Sequence, residues 1–320
     1  MTNFKTDLKM KKEHTILEKF MYLIIVMLAA SIALLALSFL YLAIFGLLPS
    51  LYGKEEVVSQ GPGQLWVLLL LQSALLFVYP CVRLARHLKQ PVAGSLGLKK
   101  TSWKWIGLAA AAIIAVIPFI NMTTQWNEAM HLPQWLSGLE DWLRQTQDAS
   151  DEGLKELMSV NTVWGFLINL VVVAAAAAFS EEILFRGTLL PLLRDAFTPK
   201  QMRENGEQSA AAWHWAIWVM AIVFSAFHMQ FFGFVPRMLL GALLGYLFYW
   251  TGSIWVPMTA HFLNNALAVC LNYACNLGWL PENFGDEVGT GSQWWMSLVS
   301  VLLVALIVRV FVKKPAGRAE

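Results

Sequence analysis

Three short stretches of this sequence place ionisable or amide side chains inside apolar runs. They are Phe179-Ser180-Glu181-Glu182-Ile183-Leu184-Phe185-Arg186, Phe224-Ser225-Ala226-Phe227-His228 and His261-Phe262-Leu263-Asn264-Asn265. On a helix Glu182 and Arg186 stand at i and i+4 and can pair, which removes much of the burial cost of both. Glu181 lies about 100° further round, without a partner in its own segment. His261 and Asn265 share a face by the same spacing. A carboxylate taken out of water keeps its proton more readily, which makes it a usable general base. Carboxylate, imidazole and amide together suit hydrolysis of a peptide bond. No serine or cysteine is placed as a nucleophile by these motifs, so no covalent acyl intermediate is expected. One carboxylate and two histidines (Glu181, His228 and His261) also match a catalytic zinc site with an open position. His-Glu-x-x-His is absent, however, and no cysteine lies in any of the three motifs. Zinc is possible; the metal-free version is preferred.

The elements that carry these residues are membrane spans. The chain has 320 residues, 58% hydrophobic and only 14% charged, with 15 tryptophans; soluble domains carry nearly twice that share of charge. This excludes a cytosolic enzyme and a disordered chain. A net charge of +2 excludes a nucleic-acid binder. A span needs roughly 20 apolar residues. Uncharged blocks at Phe20–Leu48, Leu65–Val82, Trp105–Met122, Asn161–Ser180, Ala210–Val235 and Gly289–Val308, and two more between Met238 and Pro281, predict an all-α polytopic bundle of about eight transmembrane helices. Thr251-Gly252-Ser253 marks the break between the sixth and seventh, with Pro257 tolerated in the first turn beyond it. The glutamates could merely end span four at the interface, but apolar residues continue through Gly187–Leu193. A helix from about Leu170 to Leu193 puts Glu181 near mid-depth.

The loop charges fix direction. Lys5, Lys9, Lys11, Lys12 and Lys19 precede the first span. Arg83, Arg86, Lys89, Lys99, Lys100 and Lys104 fall between spans two and three, Arg186, Arg194, Lys200 and Arg203 follow span four, and Arg309, Lys313, Lys314 and Arg318 end the chain. Lys54, Arg144, Lys155 and Arg237 fall on the other side. By the positive-inside rule both termini are cytoplasmic. The first apolar block is too long for a signal peptide and reads as an uncleaved span.

Four parts follow: a basic cytoplasmic arm over 1–19; spans one to three over 20–159, with an amphipathic extracytoplasmic segment at 122–159; a catalytic core over 160–275; and a last span with a basic tail over 276–320. In the second part Trp135, Leu136, Leu139, Trp142 and Leu143 recur at helical spacing, which predicts a helix on the outer bilayer surface, with a lid as the alternative. Cys81, Cys270 and Cys275 form no Cys-x-x-Cys pair and are expected to pack as small apolar residues. Gly241-x-x-x-Gly245 predicts close helix packing within the monomer. His14, His87, His131 and His214 lie in loops or at an interface and carry no expected role.

An ionisable group inside a span costs about 2.5–3.5 kcal/mol on insertion scales and signals function by default. Taken singly, a histidine in an apolar helix is more often a packed core residue, and a His/Asn pair a packing hydrogen bond. Three such sites on three spans argue for one constellation. Glu-Glu-x-x-x-Arg, Phe-x-x-x-His and His-x-x-x-Asn, in that order, resemble the CPBP intramembrane protease family, which includes type II CAAX prenyl endopeptidases and relatives linked to bacteriocin processing or immunity. The resemblance covers about Asn161 to Cys275. It implies that Glu181 and His228 activate a water, that His261 and Asn265 hydrogen-bond the oxyanion, and that Glu182–Arg186 hold the motif helix. It implies an endopeptidase in a bacterial plasma membrane, acting on a membrane-associated or C-terminally lipidated substrate, with the bilayer as its other partner and no cofactor required. A silent scaffold or immunity-type protein is the alternative, and a transporter a weaker one. Span counting sets His228 nearer the outer end and His261 nearer the inner, so only unequal tilt or shifted boundaries would bring them together with Glu181.

Overall fold

The computed structural model describes residues 14–51, 62–281, 284–285 and 287–313. The basic residues at 5, 9, 11, 12, 54, 314 and 318 lie outside them, as does most of the 1–19 arm.

The described residues form an all-α bundle. Its long helices are α1 (Ile16–Leu51), α2 (Pro62–His87), α3 (Trp103–Glu128), α4 (Ser137–Met158), α5 (Val163–Phe197), α6 (Ala210–Phe227), α7 (Phe234–Thr251), α8 (Trp255–Asn276) and α9 (Trp295–Val312). Seven are long and apolar enough to cross a membrane; α4 and α8 are the exceptions. The expected eighth span corresponds to α8. Helix α8 has 22 residues, but His261, Asn264 and Asn265 make it more polar than the rest, and it lies among α3, α5 and α7. Helices α1 and α9 line the outside. Their Leu17, Ile32, Leu35, Phe39, Leu302 and Leu306 are exposed, a surface that suits lipid and would be a liability in water.

Capping explains the helix starts. The Ser102, Thr162 and Ser209 hydroxyls accept from the amides of Lys104, Gly165 and Ala212 at 3.1–3.2 Å, satisfying donors that the first turn leaves free. Helix α7 stops where expected, at Gly252, whose φ of 66° is the left-handed cap that glycine adopts without strain. The α2–α3 loop closes this end: Ile254 N–H donates to Gly97 O and Ser253 Oγ to Lys99 O. The last span begins at Trp295 rather than Gly289. Ser297 and Ser300 hydroxyls donate to the Pro118 and Ala115 carbonyls of α3, tying two apolar helices through backbone groups.

Other boundaries differ from the expectation. Helix α3 runs on to Glu128. The span expected to reach Val235 ends at Phe227, and the next starts at Phe234, so Arg237 sits inside a membrane helix rather than in an outer loop. Of the cysteines, Cys81 is buried, Cys275 half-buried and Cys270 exposed; only the first packs as a core residue. Gly241 and Gly245 pack as expected: a β-carbon would meet Phe224 at 3.1 Å and Ile217 at 3.0 Å, respectively.

Helix α4 is exposed along the face named from the sequence and docked at its C-terminal end. Trp135, Leu139 and Trp142 are exposed, but the C-terminal half is docked. Leu157 and Met158 are buried. Asn169 of α5 donates to Leu157 O, and Asn276 of α8 to Met158 O and Val160 O, at 2.8–3.1 Å.

Candidate active site

Helix α5 is continuous from Val163 to Phe197 but not uniform. Residues Leu170–Ala176 and Ile183–Leu189 are π-helical, with α-helical Ala177–Glu182 between them. Each π stretch holds one extra residue and frees backbone groups from the regular ladder. Both flank Glu181-Glu182 and their carbonyls are used: Asn265 Nδ2 of α8 donates to Val173 O at 3.2 Å, and Thr188 Oγ1 donates to Ile183 O at 3.0 Å.

Glu182 and Arg186 are fully buried, which removes the alternative of an interfacial end to the span. Arg186 Nη1 donates to Glu182 Oε1 at 2.7 Å, and Nη2 to the Gly241 carbonyl at 3.0 Å. The guanidinium lies 4.5 Å above the Phe224 ring, a cation–π contact. The close approach that Gly241 permits is what brings its carbonyl to Arg186. Glu182 has a second partner that the sequence did not suggest: His261 Nδ1 lies 2.9 Å from Oε1. A carboxylate only accepts, so Nδ1 carries a proton, and Nε2 points onward. There it meets Glu181, whose Oε2 is 3.8 Å away and has no hydrogen-bond partner. That gap exceeds a hydrogen bond.

His228 ends α6. Its Nδ1 lies 2.8 Å from the Phe224 carbonyl, occupying an acceptor of the last turn, so Nδ1 is the protonated nitrogen and Nε2 is free to accept. Met229 then takes a φ of 55°, and buried Asn127 of α3 accepts from Val235 N–H and donates to Phe231 O. This corner resolves the depth problem. It ends α6 early, so His228 sits beside the site, with Phe224 as the hub: its ring lies 5.0 Å from that of His228 and 6.0 Å from that of His261.

A cavity of about 640 Å³ is lined by Glu181, His228, Arg237, Asn264 and Asn265, and roofed by Ser150, Gly153, Leu154, Leu157 and Met158 of α4. A second, of about 260 Å³, is lined by His261 and again by His228, Arg237, Asn264 and Asn265. All the expected site residues therefore converge, though Glu181 and His228 share a wall without forming an ion pair. Among the described residues no three His, Cys, Asp or Glu side chains are grouped to hold a metal ion.

Two further residues line both cavities. Arg237 falls in a loop in the sequence reading because hydropathy breaks at a charge. The available signal was the rule that a charge inside a span is functional, had the helix start been placed at Phe234. Asn264 borders both cavities and donates to Asn265 Oδ1 at 3.3 Å.

Residues 163–267 match the family model described as type II CAAX prenyl endopeptidase Rce1-like. The chain is also similar to the uncharacterized protein YpbD of Bacillus subtilis (strain 168), at 31% identity over 97 residues, which is 29% of this chain and 40% of that relative. The chain thus matches less than half the length of that relative. No solved structure matches.

Proposed function

We propose that this multi-pass membrane chain, with its CAAX-protease-type domain, hydrolyses a peptide bond of a membrane-associated or C-terminally lipidated substrate. The observation that carries this reading is Glu181 in the wall of the larger cavity, with its buried Oε2 unpartnered and 3.8 Å from His261 Nε2. A carboxylate so placed takes the proton of a water, with the free Nε2 of His228 accepting a second hydrogen bond across the same cavity. The water oxygen attacks the carbonyl carbon. The oxyanion receives hydrogen bonds from the second Nδ2–H of Asn265, whose first is held by Val173 O, and from His261 through Nε2. Glu182, itself neutralised by Arg186, holds that imidazole in its orientation. The proton on Glu181 passes to the leaving amine, and the carboxylate is restored.

The loop charges support cytoplasmic termini, and the reading places the chain in a bacterial plasma membrane. In that orientation α4 covers the cavity from the extracytoplasmic side.

The test is cleavage of quenched membrane peptides by the purified protein, beside Glu181→Gln and Asn265→Ala, with and without a chelator. Glu181→Gln is expected to lose about 10³-fold or more in rate, and Asn265→Ala about 10²- to 10³-fold. Wild-type activity is expected to survive the chelator. Cleavage equal in wild type and Glu181→Gln refutes the mechanism, and absence of cleavage supports the silent-scaffold alternative.

A further inference from the structure

Two carboxamides, Gln72 and Asn264, have no part in the chemistry above, yet they face the same space. Gln72 stands near the middle of α2 and lines the larger cavity with Ser73 and Phe77. Its side-chain amide makes no hydrogen bond among the described residues. At the next residue α2 turns π-helical, over Ser73–Val78, the same irregularity that flanks Glu181-Glu182 on α5; such stretches gather at functional sites. Asn264 of α8 gives one N–H to Asn265 Oδ1, which leaves its other N–H and its own carbonyl oxygen unspent among the described residues. Besides the two cavities already described it borders a third, of about 270 Å³ between α3 and α8, whose walls include Val116, Ile117, Leu267 and Leu271.

A carboxamide taken out of water without a partner is costly. Other amides of the core avoid that cost: Asn127, Asn169 and Asn276 donate to the carbonyls of Phe231, Leu157 and Met158. Gln72 and Asn264 keep their capacity for whatever fills the cavities. A peptidase has to hold its substrate by the main chain, and an exposed strand edge is a common way to do so. Among the described residues there is no strand, and helix backbone groups are spent in their own ladders. Side-chain carboxamides remain, and each carries the donor and the acceptor that match one peptide group.

We infer that Gln72 and Asn264 are substrate-binding residues that hold the substrate main chain, each accepting one peptide N–H on its side-chain oxygen. This rests on the peptidase reading. Gln72 lies outside residues 163–267, so this half of the clamp is supplied by the chain beyond the matched domain. The pair reads backbone and not side chains, which leaves side-chain selection to the apolar walls. A helical segment has no N–H free for them, so only a segment that is extended or has unwound is held.

The experiment measures binding apart from cleavage. Full-length Glu181→Gln in neutral-lipid nanodiscs is titrated with a fluorescent S-farnesyl Cys-Val-Ile-Met peptide and with three analogues, in which an ester oxygen replaces the Val, Ile or Met N–H in turn. Two of the three esters are expected to bind about 2- to 10-fold more weakly than the parent, the range for one hydrogen bond. Adding Gln72→Leu is expected to erase the loss at one of these positions and Asn264→Leu the loss at the other, because the acceptor is gone. Gln72→Glu and Asn264→Asp keep an acceptor oxygen and are expected to keep the losses, which separates a lost acceptor from a lost fold. Esters that bind like the parent, losses unchanged in both Leu variants, or no binding of the parent overturns the inference. Cleavage of the parent by the wild type, run in parallel, keeps the two ideas apart. Cleavage with binding indifferent to the esters sinks the main-chain clamp alone, and ester-sensitive binding that the Leu variants relieve, without cleavage, sinks the peptidase alone.

Discussion

Removing Glu182 and Arg186 separately and together tests the core of the site. Arg186→Met leaves Glu182 buried with His261 as its remaining partner. Glu182→Leu leaves a buried guanidinium with the Gly241 carbonyl and the Phe224 face. Each strands a charge at a position with essentially no solvent exposure, and breaking a buried pair from one side costs about 3–5 kcal/mol. The double variant strands neither, because apolar residues of similar volume replace both. Its cost should fall well below the sum, giving an interaction energy of about 3 kcal/mol or more in the double-mutant cycle. Unfolding by added SDS in mixed micelles, followed by tryptophan fluorescence, supplies the stabilities. Hydrolysis should not recover with stability, because His261 Nδ1 then has no carboxylate to orient it; the double variant is expected to stay at least about 100-fold slower than wild type. Additive stabilities would refute the buried pair. Restored hydrolysis would refute the role of Glu182 in holding the imidazole.

Gly241→Leu should be more damaging than Gly245→Ala, because it presses on Phe224 and shifts the carbonyl that Arg186 needs; about 1–3 kcal/mol of overpacking and loss of activity are expected, measured by the same unfolding assay and by cleavage. Glu140, outside the spans, is held at about 2, below its usual carboxylate value, chiefly by Arg144 and then by the Leu132 amide and His131. Its contribution to ordering 131–144 is therefore complete above about 4.5, the ordinary value, and is lost as the pH falls towards about 2. Glu140→Gln should show the same loss at neutral pH, read as faster hydrogen exchange at the Leu132 amide; unchanged exchange would refute it.

The ionisable residues were legible because charge and imidazole stand out in an apolar run, and i, i+4 spacing gave the Glu182–Arg186 pair directly. The bond from Glu182 to His261 was not legible, since it joins residues 79 positions apart and depends on how α5 and α8 pack. Neither was the α6–α7 corner. Hydropathy runs smoothly across His228, and the turn is made by that histidine's own ring together with Asn127, far away in sequence. Misplacing the corner cost the reading Arg237. For α4, amphipathic spacing told which face is apolar but not that protein covers its C-terminal half; Asn169 and Asn276, polar residues inside apolar helices, were the available hint.

The two π stretches of α5 make its length adjustable. Each is one residue more than a regular helix needs, so deleting one residue from 170–176 or from 183–189 can be absorbed by straightening that stretch, while residues on either side keep their facing. Glu181 and Glu182 thus ride on a short regular segment between two removable links. The first link carries the anchor of Asn265 at Val173, the second that of Thr188 at Ile183. A chain shortened in the first link would keep its carboxylates in register and lose first the anchor of Asn265, the amide proposed to face the reacting carbonyl.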